Sequence, residues 1–224
     1  MVIATSVTVR HVRPADFGPL AEMLARAFYD DPVTSWFYPD DERRMKHARR
    51  FFVIRQRQLA RQELIFTTPE LSGAALWTGP GRWREELRES LMLLPMLPVL
   101  LPRIVRSTQA VREIERRHPV QPHYYLSVLG TEPKQQGAGI GSALLGPVLR
   151  RCDAEGVGAY LECSKESNVD FYARRGFAVT ERIELPDGPP WGARRGPGPG
   201  TRRGPPLWLM WREPSGPAGR RARR

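Results

Sequence analysis

A glycine-rich loop at residues 132–142 constrains the fold of this chain more than any other feature. It reads Glu-Pro-Lys-Gln-Gln-Gly-Ala-Gly-Ile-Gly-Ser, and it joins a segment of strand composition, 124–131, to one of helical periodicity, 140–155. Gly137, Gly139 and Gly141 leave backbone N–H groups unobstructed beside a helix N-terminus. Because the positive end of the helix dipole lies at the same place, the loop predicts a phosphate-binding turn.

The spacing of this loop separates the kinds of phosphate site. A dinucleotide-binding GxGxxG turn needs glycine or alanine at 142 or 144, where Ser142 and Leu144 stand. A Walker loop also fails, since no Gly-Lys-Ser/Thr follows. The pattern that fits is Gln-x-x-Gly-x-Gly at Gln136, Gly139 and Gly141. A tight turn without a ligand is the structural alternative.

This pattern resembles the CoA-binding motif of the GNAT acetyltransferases. The run Leu-Glu-Cys-Ser at 161–164, Asn168, and Phe-Tyr-Ala-Arg-Arg-Gly-Phe-Ala-Val-Thr at 171–180 are similar to the second half of that family's signature. Within the family the similarity is greatest to the group containing puromycin N-acetyltransferase, including Pro147 and the run at 184–189. The clear match spans 124–188 and 207–214.

The resemblance implies the GNAT fold, an α/β (α+β) class with a mixed central β-sheet of six to seven strands flanked by helices. Its two central parallel strands, 124–131 and 159–163, are expected to splay around the CoA arm. The periodicities alone give β-α-α-β-β, a helical region and then β-α-β-α-β-β, which is a mixed layout. By resemblance acetyl-CoA is the co-substrate and no metal is required. The expected CoA-binding residues are Leu129, Gly130, Thr131, Gln136, Gly137, Ala138, Gly139, Ile140, Gly141, Ser142 and Asn168.

Two catalytic residues are candidates. By resemblance Tyr172 protonates the CoA thiolate that leaves, although it could instead only pack beside Phe171 and Phe177. Glu162 is the acid nearest in sequence to the expected reaction centre, and it acts as the base, orients the substrate or points away. The histidines His118 and His123 are expected at the surface or at a helix cap.

The acceptor pocket of the family draws residues that follow the first helix. Here those residues are Tyr29, Asp30, Asp31 and Trp36, which would give an acidic, aromatic rim. Such a rim suits a cationic amine with an apolar body. A helix stop with exposed acids is the equal alternative.

Charge is concentrated at one end of the chain. Residues 186–224 hold nine Arg, nine Pro and eight Gly against two acids, and so carry +7 of the total +11. The remainder is only mildly basic, which disfavours nucleic acid as a partner. We therefore expect one N-acetyltransferase domain over 1–214, with a Gly/Pro/Arg-rich insertion at 188–206 and a basic disordered tail at 215–224.

Cysteine usage and apolar runs favour a cytoplasmic protein. Cys152 and Cys163 stand 11 residues apart without metal-ligand spacing. The first ten residues lack the apolar core of a signal peptide. The apolar run 91–105 contains Pro95, Pro98 and Pro102, and is shorter than the ~20 residues of a membrane span.

The predicted function is acetyl transfer from acetyl-CoA to the amine of a small molecule by direct attack in a ternary complex. Two alternatives stay open: a protein or peptide acceptor with the Arg-rich segment as docking arm, and a non-catalytic CoA-binding or nucleic-acid-binding module. A monomer or a homodimer is expected.

Overall fold

The computed structural model describes residues 7–84, 92–101, 104–186 and 203–216 of the 224-residue chain. Within these ranges the helices are α1 (Phe17–Ala27), α2 (Pro32–Phe37), α3 (Asp41–Leu59), α4 (Leu97–Leu100), α5 (Ile104–Arg117), α6 (Ile140–Glu155) and α7 (Val169–Ala173). The strands are β1 (Arg10–His11), β2 (Ile65–Thr67), β3 (Gly73–Thr78), β4 (His123–Thr131), β5 (Gly158–Cys163), β6 (Phe177–Pro186) and β7 (Arg203–Arg212).

One sheet holds the seven described strands in the order β1-β2-β3-β4-β5-β7-β6. The β4–β5 pair is parallel and the other neighbours are antiparallel. This mixed sheet confirms the predicted fold class.

Helices cover both faces of the sheet. On one face α6 buries Leu144, Leu145, Val148 and Cys152, which lie at the helical spacing seen in the sequence, against β3, β4 and β5. On the other face α1 and α3 pack over β2, β3 and β4, and α5 packs over β5, β6 and β7. The sheet is therefore the middle layer of the fold.

The two parallel strands separate part-way along their length. Strands β4 and β5 pair from His123↔Gly158 to Leu126↔Leu161. Beyond this point β4 continues to Thr131 with β3 as its strand neighbour, up to the register Gly73↔Thr131. The predicted splay is present, and it leaves one edge of β4 facing an opening that we call the fork.

Two strands differ from the bounds that the sequence predicts, which are about 7–12 for the first strand and 207–212 for the last. Strand β1 is Arg10–His11, while Val7 and Val9 pack onto the core instead of forming a strand. Strand β7 begins at Arg203 rather than at 207, because it pairs with β6 as far as Pro186↔Arg203. Its pairing with β5 starts only at Cys163↔Trp208. The prolines at 205 and 206 thus stand where β7 has one strand neighbour, which is where proline is tolerated.

Parts of the predicted insertion and tail, 187–202 and 217–224, lie outside the described residues. The interrupted helical region appears as α4 and α5, with 85–91 and 102–103 outside the description. No helix in the described part of the chain is long and apolar enough to cross a membrane.

Candidate active site

The fork opens into a cavity of about 500 Å³. Its walls are β4 from 126 to 131, the glycine-rich loop, the end of β5 with the two residues after it, and the helix α7 with the turn on either side. Ala27, Phe28 and Asp31, at the end of α1 and the start of α2, close one side. The cavity therefore joins the three segments that the sequence motif contains.

The glycine-rich loop has the backbone shape that its sequence predicts. Gly137 and Gly139 both have φ of +82°, in the left-handed region, and a Cβ at either would meet no atom within 4 Å. Glycine is required there for the backbone angle rather than for space. Gly139 caps α6, whose first N–H groups have no partner within the helix. All predicted loop residues except Ala138 line the cavity.

Gly141 has a different reason to be glycine. A Cβ there would lie 3.1 Å from Cζ of Phe171, so the first turn of α6 packs directly on that ring. The Arg175 guanidinium lies over the same Phe171 ring, 3.6 Å from the ring centre. Arg175 also donates to the Phe171 carbonyl and to Ser142 Oγ.

Arg175 is a functional candidate that sequence reasoning missed. It lines the cavity beside the loop, and burial, followed by the nearby charge of Arg174, lowers its pKa from the ordinary arginine value. No carboxylate pairs with it among the described residues. A partly buried guanidinium without an acid is suited to hold a phosphate. The available signal was the Arg-Arg pair just before the glycine at 176 in the motif.

The free edge of β4 provides backbone groups for an extended ligand. Leu129, Gly130 and Thr131 line the cavity and pair on their other side with β3. At Gly130 a Cβ would lie 2.6 Å from Leu24 Cδ2, so glycine lets α1 approach the strand. Backbone N–H and C=O groups on the fork side are thereby placed where the arm of CoA would add as a further strand.

Asn168 stands at the start of α7 and lines the same cavity. Its side chain makes no capping hydrogen bond, which leaves the amide available to a ligand.

Tyr172 meets both descriptions that the sequence allowed. Its ring makes edge contacts with Phe171 and Phe177 at 5.1 and 6.0 Å between centres. It also lines the cavity, and its hydroxyl has no hydrogen-bond partner within the described residues. Burial, and next the nearby Cys163, raise the pKa of Tyr172 well above its ordinary value. The phenol therefore keeps its proton, as a general acid requires.

Glu162 reaches the cavity from the opposite face of β5. Successive residues of a strand point to opposite faces of the sheet. Leu161 and Cys163 pack with Tyr172 on the α6 face, so Glu162, like Tyr160, belongs to the α5 face. Its side chain is 9% exposed, and Oε1 stands 3.5 Å from Nδ1 of His118. The fork allows Glu162 and Tyr172 to line one cavity although they belong to different faces of the sheet.

The expectation that the two histidines lie at the surface was wrong, although His118 does follow directly after α5. His118 and His123 are both buried, with 6% and 1% exposure. They are buried because Trp83, Tyr125 and Tyr160 surround them, and these residues come from three separate segments.

Asp31 is the predicted acceptor residue that the cavity includes. It is 3% exposed, and its Oδ1 accepts the N–H groups of Val33 and Thr34 at 3.0 and 2.9 Å, which caps α2. Its Oδ2 accepts the hydroxyl of Ser164, from the end of β5. Asp31 thus ties α2 to the fork.

The other three predicted acceptor residues do not line the cavity. Asp30 is exposed and pairs with Lys165 at 2.7 Å, and the hydrogen bond from Lys165 lowers the pKa of Asp30. Tyr29 lies under the Arg44 guanidinium, and Trp36 packs under Arg106 at 3.8 Å from the ring centre. Their substrate role stays a prediction.

Comparisons with known proteins agree with this geometry. Residues 109–191 match the family model described as acetyltransferase (GNAT) domain, and the range covers β4, the loop and α7. This part of the chain thus resembles a GNAT acetyltransferase domain. An uncharacterized N-acetyltransferase of Schizosaccharomyces pombe is 29% identical over 196 residues, or 80% of this chain and 77% of the relative. Together, the family match and this relative support an acyl-CoA-dependent N-acetyltransferase.

Solved structures share the GNAT fold. A histone acetyltransferase HPA2 and related acetyltransferase from Corynebacterium glutamicum has a TM-score of 0.63 at 24% identity, covering 94% of this chain and 98% of its own. Arylalkylamine N-acetyltransferase 2 from Aedes aegypti has a TM-score of 0.57 at 11% identity, covering 93% and 99%. At these identities the likeness shows the fold alone.

Proposed function

We propose that the protein transfers the acetyl group of acetyl-CoA to the amine of a small molecule, by direct attack in a ternary complex. The observation that carries the proposal is the fork. The fork opens into one cavity. This cavity is lined by the glycine-rich loop, the free edge of β4, Tyr172 and Glu162.

The residues of this cavity fit acetyl-CoA. The first amides of α6, with Arg175 beside them, would hold the pyrophosphate. The free edge of β4 at 129–131 and the amide of Asn168 would bond the pantetheine arm. Acetyl-CoA supplies an activated thioester, and a backbone N–H of this edge would stabilise the negative charge that develops on the carbonyl oxygen.

Two proton transfers follow from the placement of the side chains. The acceptor attacks as the neutral amine, after its ammonium form has lost a proton to solvent. Its lone pair forms the new N–C bond while the carbonyl π electrons move to oxygen, and Glu162 takes one proton from the nitrogen. Tyr172 gives its phenolic proton to sulfur as the C–S bond breaks. The products are the N-acetyl amine and CoA as a thiol. A proton passing from Glu162 to the Tyr172 phenolate through solvent restores both groups.

A compact cationic acceptor is supported by the surroundings of Glu162. On the α5 face this acid lies among Tyr125, Tyr160 and the His118–Trp83 stack. A carboxylate in an aromatic setting favours an alkylammonium group with an apolar body over an extended peptide backbone.

The remaining expectations of the sequence are kept as proposals. A single domain over 1–214 is supported by one sheet that contains strands from Arg10 to Arg212. The C-terminal end of β7 is tied to α6, since Arg212 pairs with Asp153 at 2.9 Å. The closer resemblance to the puromycin N-acetyltransferase group, the cytoplasmic location and the monomeric or dimeric state stay predictions.

The experiment measures thiol release from acetyl-CoA with a panel of acceptors. The panel contains puromycin, an arylalkylamine, a polyamine, and a peptide with a free N-terminus and one lysine. We expect turnover with at least one small amine, and a loss of kcat of about 100-fold in Glu162→Gln. The matched control is Glu166→Gln, since Glu166 is exposed and does not line the cavity.

Two results would count against the proposal. Acetylation of the peptide at a higher kcat/KM than any small amine would replace the acceptor class. Binding of CoA in calorimetry without thiol release for any acceptor would leave a non-catalytic CoA-binding module.

A further inference from the structure

A buried polar chain leads from Glu162 away from the cavity. Glu162 Oε1 stands 3.5 Å from His118 Nδ1. The opposite nitrogen of that ring, Nε2, is 2.9 Å from Nε2 of His123, and His123 Nδ1 is 2.7 Å from the carbonyl oxygen of Gln121. Gln121 is exposed, whereas both imidazoles are buried. The chain contains three groups that can exchange protons.

The carbonyl at the end of this chain decides the tautomers. A carbonyl oxygen only accepts, so His123 carries its proton on Nδ1 and donates to Gln121. Burial lowers the pKa of His123, which keeps the ring neutral and leaves a lone pair on its Nε2. The 2.9 Å contact then requires His118 to donate from Nε2. A neutral His118 therefore turns an Nδ1 lone pair toward Glu162.

When His118 is neutral, its contact with Glu162 lacks one proton. A lone pair of Nδ1 then faces the buried Oε1 of Glu162 at 3.5 Å. Tyr125 and Tyr160 interact with the same carboxylate through their hydroxyls. One added proton, on either atom, turns this contact into a charge-assisted hydrogen bond. The pair is built to accept a proton rather than to hold one permanently.

Aromatic packing fixes the His118 ring in this position. Trp83 stacks on it at 3.8 Å between ring centres with an interplanar angle of 22°. Tyr125 and Tyr160 meet it edge-on at 4.9 and 4.7 Å. The ring cannot turn away from Glu162 without breaking these three contacts.

We propose that His118 is a positioning residue for acetyl transfer, and that Glu162 and His118 together take up the proton that leaves the amine. This proposal rests on the proposed function, in which Glu162 is the base. The proton moves from the amine nitrogen to Glu162, is shared between Oε1 and Nδ1, and returns to solvent through the open cavity. His123 acts one step further away, by holding His118 in the accepting tautomer.

The groups that face the pair set the sign of the pH effect. His123 and Tyr125 on β4 and Tyr160 on β5 face the Glu162–His118 pair. Further away, the charge of Arg55 on α3 acts on Tyr125, and that of Glu181 on β6 acts on Tyr160. Burial raises the pKa of both tyrosines, so they stay neutral at working pH. The groups left to exchange a proton here are therefore Glu162 and His118 together.

A shared site takes up a proton at higher pH than a lone glutamate does, because an imidazolium–carboxylate contact stabilises the protonated state. Loss of the His118 ring should move the acid limb of kcat to lower pH by about one unit or more. It should also lower kcat on the plateau by about tenfold, since the remaining base is weaker. The KM for acetyl-CoA should not change.

The kinetic experiment uses the full chain and the best small amine of the panel. His118→Asn keeps a polar group near the Nδ1 position, and His118→Gln keeps one near the Nε2 position, but neither amide accepts a proton. Both variants should show the shifted acid limb, and His123→Gln a smaller shift in the same direction. His11→Gln is the matched control, because His11 is exposed on β1. An acid limb at the wild-type pH in both His118 variants overturns the proposal.

A second measurement does not depend on activity. Nitrogen-15 NMR of the histidines in the free protein should show His123 with its proton on Nδ1 and His118 with its proton on Nε2 above the apparent pKa of the pair. The His118 titration should move in Glu162→Gln. A His118 that carries Nδ1–H throughout, or a titration unchanged in Glu162→Gln, overturns the proposal.

These readouts separate the two proposals. Full activity of Glu162→Gln removes Glu162 as the base, and with it the role of His118. Strong loss in Glu162→Gln with an unmoved acid limb in the His118 variants removes His118 alone.

Discussion

Asp31 tests whether an acid at the cavity is structural or touches the substrate. Its carboxylate caps α2 through Val33 and Thr34 and also binds the Ser164 hydroxyl, 133 residues away in the chain. Asp31→Ala removes the cap, at about 1 kcal/mol. It also leaves a partly buried hydroxyl without its partner, at about 1 kcal/mol more.

The expected total is about 2 kcal/mol, which lowers the melting temperature of a domain of this size by about 4–8 °C. Asp31→Asn should cost about 0.5 kcal/mol or less, because asparagine caps helices as well as aspartate and its amide can still bond Ser164. Asp40→Ala is the matched control. Asp40 caps α3 through the N–H of Arg43 at 3.2 Å and is exposed, so about 1 kcal/mol is expected.

The assay combines thermal unfolding with the KM for the amine. The loss of melting temperature should be largest in Asp31→Ala, smaller in Asp40→Ala and smallest in Asp31→Asn. A melting temperature of Asp31→Ala within about 1 °C of wild type would refute the structural reasoning. An unchanged stability in Asp31→Asn with a KM raised about tenfold would instead place the charge against the substrate amine, as the sequence suggested.

Four further predictions concern single residues. Tyr172→Phe should lower kcat by about 100-fold with an unchanged dissociation constant for CoA, measured by stopped assays and calorimetry, and an unchanged rate would remove Tyr172 from the mechanism. In wild type, Tyr172 should cause no alkaline loss of kcat below about pH 10, because burial raises its pKa above the ordinary value. Arg175→Met should raise the KM for acetyl-CoA about tenfold. The control Arg150→Met changes an exposed arginine of α6 and should leave this KM unchanged. Equal KM values in the two variants would exclude Arg175 from phosphate binding. Gly158→Ala should lower the free energy of unfolding by about 1–3 kcal/mol or more in chemical denaturation, because the new Cβ would stand 2.2 Å from Trp211. In the control Gly18→Ala the new Cβ meets no atom within 4 Å, so this variant should not be destabilised. Similar stabilities of the two variants would show that Trp211 can move aside.

The glycine-rich loop shows how far local pattern carries. Two glycines at positive φ, a helix N-terminus and the apolar spacing of α6 all depend on neighbours within a few residues. The motif similarity then extended the prediction to the splayed strands, which the structure has. Local pattern also explains why α6 has the predicted bounds 140–155, and why β4 and β5 differ by one residue from the predicted 124–131 and 159–163.

The predictions failed or stayed open where distant segments meet. His118 and His123 look like ordinary polar residues beside a helix end, yet rings from Trp83, Tyr125 and Tyr160 bury them. The sequence pattern did not single out Arg175. Its position over Phe171 and beside Ser142 depends on how α7 packs on α6. The length of β7 likewise depended on its pairing with β6.

The sequence by itself therefore determined the glycine-rich loop and most of the elements, because backbone angles and apolar periodicity are local properties. The resemblance of its motifs added the GNAT fold. Only the tertiary structure decided which acids and bases share the cavity. Whether Asp31 caps a helix, or Glu162 faces a histidine, depends on contacts between segments tens of residues apart, whose burial and charge no local pattern records.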